Sequence, residues 1–181
     1  MEPGEPIEEF VAKNGMRFTL RAPDITDAKE YLTFVNGLVE EDAPIMLNSK
    51  QNYLSETNYV ANKIRNMLAG EEIPVVATFG GRIAGDASIV RKTGREHQNG
   101  ALGIAIAKDF RGIGLGNRMI SILLEMARRE GLRMVELGVF ANNPGALHLY
   151  KKLGFAEAGR MPKAALFNES YIDEILMVKI L

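Results

Sequence analysis

Between Asp24 and Pro44 the apolar residues Ala28, Tyr31, Leu32, Val35, Leu38 and Val39 recur three or four positions apart. That spacing lays one stripe of an α-helix against a core. Asp24 and Thr26 offer oxygens to cap its start, and Pro44 bounds its far end. A second helix fits Ser55 to Leu68, with Thr57, Ala61, Ile64, Met67 and Leu68 inward and Gly70 just beyond. Ahead of both, Met16 to Arg21 alternates as a short strand does. Met1 to Gly15, with Pro3, Gly4, Pro6 and Gly15 among several acids, reads as a loose arm or irregular lead-in.

From Ile73 onward the period shortens to two. Pro74 to Phe79, a Gly80-Gly81 turn and Arg82 to Arg91 form a hairpin pattern, Thr93 to Asn99 is polar loop, and Gly100 to Ala107 resumes as strand. In that strand Leu102, Ile104 and Ile106 share one face, and Ala101, Gly103, Ala105 and Ala107 the other. The small face admits a close neighbour, either a helix or a ligand. Ile113 to Arg129 is an amphipathic helix with Gly116, Met119, Ile120, Leu123, Leu124 and Ala127 inward. Met134 to Phe140 is a strand, Pro144 to Leu153 a short helix opened by proline, and Ile172 to Ile180 a closing strand. Interleaved helices and strands predict an α/β chain, and the mixed sheet itself is what the family resemblance described below implies.

Composition narrows the chemistry. The 181 residues are 46% apolar and 25% charged, ordinary for a folded domain, and no linker interrupts residues 16 to 181, which read as one domain. Lys plus Arg is 22 against 23 for Asp plus Glu, so net charge gives no pull toward nucleic acid or an anionic membrane. There is no cysteine, which removes disulfides, thiolate nucleophiles and cysteine-held metals; with only His97 and His148, no metal centre is expected. No apolar run nears the roughly 18 residues of a membrane helix, and the start carries acids where a secretion signal carries bases, so the expectation is a cytoplasmic protein.

The most informative segment joins the small-faced strand to the amphipathic helix through Arg111, Gly112, Gly114 and Gly116. The first amides of a helix lack partners within it and its dipole makes that end partly positive, so a phosphate satisfies both. Glycines remove the Cβ atoms that would hold a phosphate off, and Arg111 can add charge-assisted bonds. No Gly-Lys-Ser/Thr ending supports a nucleotide-hydrolysing loop, and the third glycine of a dinucleotide fingerprint is out of place. A glycine-rich turn that merely packs a helix on a sheet is the plainer alternative.

The run Arg111-Gly-Ile-Gly-Leu-Gly116 resembles the coenzyme A signature of the GNAT superfamily of N-acetyltransferases: Arg or Gln, two residues, Gly, one residue, Gly or Ala. Asn143, Ala146, Tyr150, Gly154 and Phe155 resemble its second signature, and Tyr171 to Lys179 resembles the closing strand of small single-domain members. The resemblance implies an acyl-CoA N-acyltransferase fold, with a splayed central strand pair flanked by helices, and acetyl-CoA as cosubstrate. By that likeness, backbone around Ala105 and Ile106 pairs with the pantetheine arm. Amides from Gly112 through Ile113, Gly114, Leu115 and Gly116 to Asn117 take the pyrophosphate beside Arg111, Asn143 and Ala146 border the coenzyme, and Tyr150 protonates the departing thiolate. The family also implies pairing of two copies through a sheet edge or helices.

Other roles are read from the residues. An attacking amine must lose a proton, and Glu136, facing opposite to Val135, Leu137 and Val139, is the candidate base, with an ordinary polar position at the mouth of the sheet as its alternative. Glu41 and Glu174 are candidate substrate-facing acids, and Glu40, Glu41 and Asp42 oppose the dipole of the helix they end, unless placed to attract a cationic amine. The acceptor is expected to be a primary amine of a small molecule, attacked directly in a ternary complex. A protein N-terminus of the ribosomal-protein kind and a non-catalytic acyl-CoA-binding module remain as alternatives.

Overall fold

The computed structural model describes residues 1–167 and 169–181. In chain order the elements are β1 (Pro6–Val11), β2 (Arg17–Arg21), α1 (Ala28–Glu40), α2 (Tyr53–Leu68), β3 (Glu72–Phe79), β4 (Arg82–Arg91) and β5 (Asn99–Ile106), then α3 (Leu115–Arg129), β6 (Met134–Phe140), α4 (Pro144–Lys152), β7 (Ala156–Phe167) and β8 (Ser170–Ile180). The strands form one sheet in the order β1-β2-β3-β4-β5-β6-β8-β7. All neighbours run antiparallel except β5 and β6, which are parallel. This is the α/β architecture that the periodicity predicts, on the mixed sheet that the resemblance implies.

Local chemistry sets the boundaries. Asp24 accepts from the Thr26 amide at 2.9 Å while Asp27 accepts from the Asp24 amide at 2.8 Å, a reciprocal cap that leads through one 3-10 turn into α1. Asn52 and Ser55 exchange the same kind of bonds at the start of α2. Gly80 and Gly81 both have positive φ, 56° and 81°, the backbone a two-residue hairpin turn requires.

Two apolar cores flank the sheet. On one face α3 buries Met119, Ile120, Leu123 and Ala127 against Ile89, Leu102, Val135 and Leu137. On the other, α1 and α2 bury Tyr31, Phe34, Leu38 and Val60 against Val76 and Ile83. Ile104 and Ile106 of β5 pack on the first core and Ala105 on the second, as the alternation along that strand requires, while Ala107, just past its end, touches both.

Three segments differ from the sequence reading. The first fifteen residues are not an irregular arm: Pro6–Val11 pairs with β2 as the outermost strand, and Glu8 grips Arg118 of α3 through two bonds of 2.8 and 2.5 Å. The buried stripe of α2 is rotated from the one expected. Glu56, Val60, Lys63 and Met67 face inward while Ala61 and Leu68 are exposed, because Lys63 turns in to ion pairs with Asp86 at 2.9 Å and Glu72 at 3.4 Å. Strand β7 was not expected at all. It is the edge of the sheet opposite β1, exposed along most of its length and carrying Pro162, and an edge strand needs neither alternation nor every backbone donor.

Candidate active site

The site originates in a failure of pairing. Parallel β5 and β6 share only three rungs, Asn99 with Met134, Gly100 with Val135 and Ala101 with Glu136, although the strands run eight and seven residues. Beyond Ala101 they part. On its other side β5 stays in register with β4 through Gly85 and Ile106, and the Ala107 amide donates to the Ala84 carbonyl at 2.9 Å. Backbone groups alternate between the two edges of a strand, so Ala101, Gly103 and Ala105 face β4, and Leu102, Ile104 and Ile106 present theirs to the gap. Ala105, expected to supply backbone groups to a ligand, therefore contributes only its small side chain, and Ile104 and Leu102 join Ile106 at the open edge.

The gap opens into a cleft of about 890 Å³. Its floor is β5 from Leu102 to Ile106 and β6 from Gly138 to Phe140; one wall is the turn into α3 with Arg111, Gly112, Gly114, Gly116 and Asn117. The opposite wall is α4 with Asn143, Ala146 and Tyr150, and the segment after α1 overhangs with Ala43 to Met46. A turn so built leaves backbone donors open to an anion. Gly114, at φ 96°, caps α3 without any side-chain bond, the first turn holds no acid, and the first intrahelical bond runs from the Arg118 amide to the Gly114 carbonyl at 3.1 Å. The amides of Leu115, Gly116 and Asn117 are thus left for a ligand. Leu115 is otherwise buried in the core, and Ile113 packs on it, so neither brings a side chain to the cleft.

Arg111 lines the same cleft, with its guanidinium held from two sides. Its Nε donates to the Ile106 carbonyl at 2.8 Å and its Nη2 pairs with Glu41. Glu41 therefore stands as the partner of Arg111 at an adjoining recess, not as a free acid over the cleft. Asn143 caps α4, accepting from the Ala146 amide at 3.1 Å, which leaves its amide nitrogen for the cleft. Tyr150 is 7% exposed, with its ring edge-on to Phe155 at 5.9 Å and burial pushing its phenol up to about 12. It stays protonated at neutral pH, so both its packing role and its place in the cleft are met by one side chain.

Two carboxylates exchange importance. Glu136 lies on the last rung before the strands part, outside the cleft, and is ion-paired to Lys92 at 2.7 Å, the ordinary polar position that was its alternative reading. Glu174 of β8 is in the cleft, its carboxylate lying where a side chain on Gly138 would project: a Cβ built there would stand 2.0 Å from Oε1. His148 also borders the cleft, whereas His97 is an exposed loop residue 3.0 Å from the Gly94 carbonyl. Sequence reasoning missed Lys13, which enters the cleft from the turn between β1 and β2. Lys13, Lys152 and Glu174 are the charged cleft residues in no ion pair among the described residues, apart from the histidine.

A parting parallel strand pair, closed on one side by an uncapped glycine turn, is the frame of an acyl-coenzyme A transferase, and residues 36–155 match the model of the Acetyltransferase (GNAT) family. The chain belongs to that family. It is 46% identical over 54 residues to an uncharacterized N-acetyltransferase of Methanocaldococcus jannaschii, a match spanning 30% of this chain and 24% of that protein. Over 164 residues, 90% of this chain and 94% of the other, it is 25% identical to the L-methionine sulfoximine/L-methionine sulfone acetyltransferase of Pseudomonas aeruginosa. Among solved structures, yncA of Salmonella typhimurium with its cofactor acetyl-CoA superimposes with a TM-score of 0.79, at 23% identity and covering 91% of this chain and 94% of that one.

Proposed function

We propose that the protein transfers the acetyl group of acetyl-CoA to the primary amine of a small molecule, by direct attack in a ternary complex. The observation that carries this reading is the parting of β5 from β6 after three rungs, which leaves an open strand edge continuous with the uncapped start of α3. An extended pantetheine arm adds to the edge as a strand would, and the diphosphate reaches the amides of Leu115 to Asn117. A protein of the same fold, yncA of Salmonella typhimurium, is solved with acetyl-CoA as its cofactor, which supports this reading.

The chemistry follows from what faces the gap. The amine nitrogen attacks the thioester carbonyl carbon, and charge gathering on the carbonyl oxygen meets a backbone amide on the free edge of β5. Glu174 draws the ammonium in and takes its proton, directly or through water, before the new C–N bond forms. The nitrogen of the tetrahedral intermediate gives its second proton to solvent as the C–S bond breaks, and the departing thiolate accepts a hydrogen bond from Tyr150. A buried phenol raised to about 12 holds its proton more tightly than a thiol of ordinary pKa near 8.5, so Tyr150 serves chiefly by donating a bond to the leaving sulfur while solvent restores the proton. The likeness along nearly the whole chain to an enzyme acting on L-methionine sulfoximine and sulfone supports a small acceptor.

The test is release of free thiol from acetyl-CoA against a panel of amino acids and their analogues, polyamines and peptides beginning with a free amine. Turnover on small amines, with the acetylated product found by mass spectrometry, is the expected result. Turnover only on peptides would move the assignment to protein N-termini, and tight coenzyme binding without turnover on any amine would reduce the protein to a binding module.

A further inference from the structure

The first fifteen residues, which the mechanism above does not use, bring a cation to the glycine turn. The Lys13 amide donates to the Ile113 carbonyl at 3.2 Å, and the Lys13 stem passes so close to Gly114 that a Cβ there would lie 3.8 Å from its Cε. The Phe10 ring tip would lie 3.9 Å from the same Cβ. The two-bond pair between Glu8 and Arg118 then ties the strand to the first turn of α3 itself. The β1–β2 hairpin is thus fastened to the helix start at three points, with its own lysine turned into the cleft.

Charge availability separates the two cations at that turn. The guanidinium of Arg111 already neutralises Glu41 and donates to the Ile106 carbonyl, so its charge is offset by the protein itself although its Nη1 donors stay open. Lys13 has no acidic partner among the described residues. An ammonium with a flexible stem beside three unpartnered amides completes a site for a doubly charged group, since the amides supply direction and the lysine supplies charge.

We propose that Lys13 is a phosphate ligand of the coenzyme site, and that the β1–β2 hairpin is the wall through which the protein selects acyl donors bearing a diphosphate over bare pantetheine thioesters. The inference rests on the coenzyme A reading of the cleft and goes beyond it by assigning a role to a segment outside the 36–155 match. Lys13 is exposed, so its replacement tests the site without disturbing the core.

The experiment compares wild type, Lys13→Met and Lys13→Arg in coenzyme A binding by calorimetry, and in KM for acetyl-CoA against acetyl-pantetheine. Lys13→Met is expected to weaken coenzyme A about tenfold and to shrink the preference for acetyl-CoA by a similar factor, with Lys13→Arg within about twofold of wild type. Coenzyme A affinity in Lys13→Met equal to wild type, or an equal loss for both thioesters, would overturn the proposal. Wild-type protein that binds no coenzyme A would instead overturn the functional reading itself, and this inference with it.

Discussion

Tyr150 answers two demands with one side chain: its ring packs edge-on to Phe155, and the residue also lines the cleft. Tyr150→Phe keeps the ring and removes only the donor. Turnover should fall about a hundredfold, with KM for acetyl-CoA little changed, because the lost bond is made to a charge that develops only as the C–S bond breaks. The pH profile adds a second check. Burial raises the phenol, so no alkaline loss of kcat from Tyr150 is expected below about pH 11, and a limb near pH 9 that vanishes in the variant would contradict that assignment. Gly138 offers the matching test for Glu174. A methyl there displaces the far end of a flexible carboxylate and leaves the backbone in place, so Gly138→Ala and Glu174→Gln should each raise the acceptor KM, by about tenfold. Steady-state kinetics with the amine varied would show it, and an unchanged KM in both would remove Glu174 from the acceptor site.

At the scale of elements, α2 shows how a buried cation redirects a helix. Lys63 is 3% exposed; burial alone pushes its ammonium down, but Asp86, Tyr59 and Glu72 together outweigh that and hold it charged. Asp86 also accepts from Tyr31 at 2.8 Å and from Tyr59 at 2.9 Å, so α1, α2 and β4 converge on one carboxylate. Lys63→Met strands Asp86 and Glu72 without their cation, and should cost about 3–5 kcal/mol in denaturant unfolding. A loss below about 1 kcal/mol would mean the cluster contributes little beyond its apolar stems. The same cluster explains why the expected face of α2 was off: an apolar count cannot see a lysine that two acids on the paired strands β3 and β4 pull inward. The α3 helix and the Gly80-Gly81 hairpin were legible because their signals are local, a steady stripe in one and two left-handed glycines in the other. Strand β7 was not, since an edge exposed on most positions leaves no period to read.

Across the whole molecule, the glycine run and the α4 signature could be placed from sequence because each is a contiguous stretch that folds as one local turn-and-helix unit. Glu136 could not be judged that way. Its strand and its facing were right, but its exclusion depends on where β5 and β6 separate, and that point is set by register between segments 35 residues apart in number, Ala101 and Glu136. Lys13 was invisible for a related reason, since nothing in an acidic, proline-containing start announces that it will fold back as a strand and fasten to α3. Glu41 illustrates the reverse: the acids after α1 attracted notice as a lure for cations, and the cation one of them holds is the protein's own Arg111.

Because only three rungs stitch the parallel seam, the sheet is in effect two leaves, one of five strands and one of three, with the spine of the book between them. On the proposed reading, a pantetheine arm laid along the β5 page would occupy the margin where the leaves stop being stitched, so the bound coenzyme would stand in for the missing rungs.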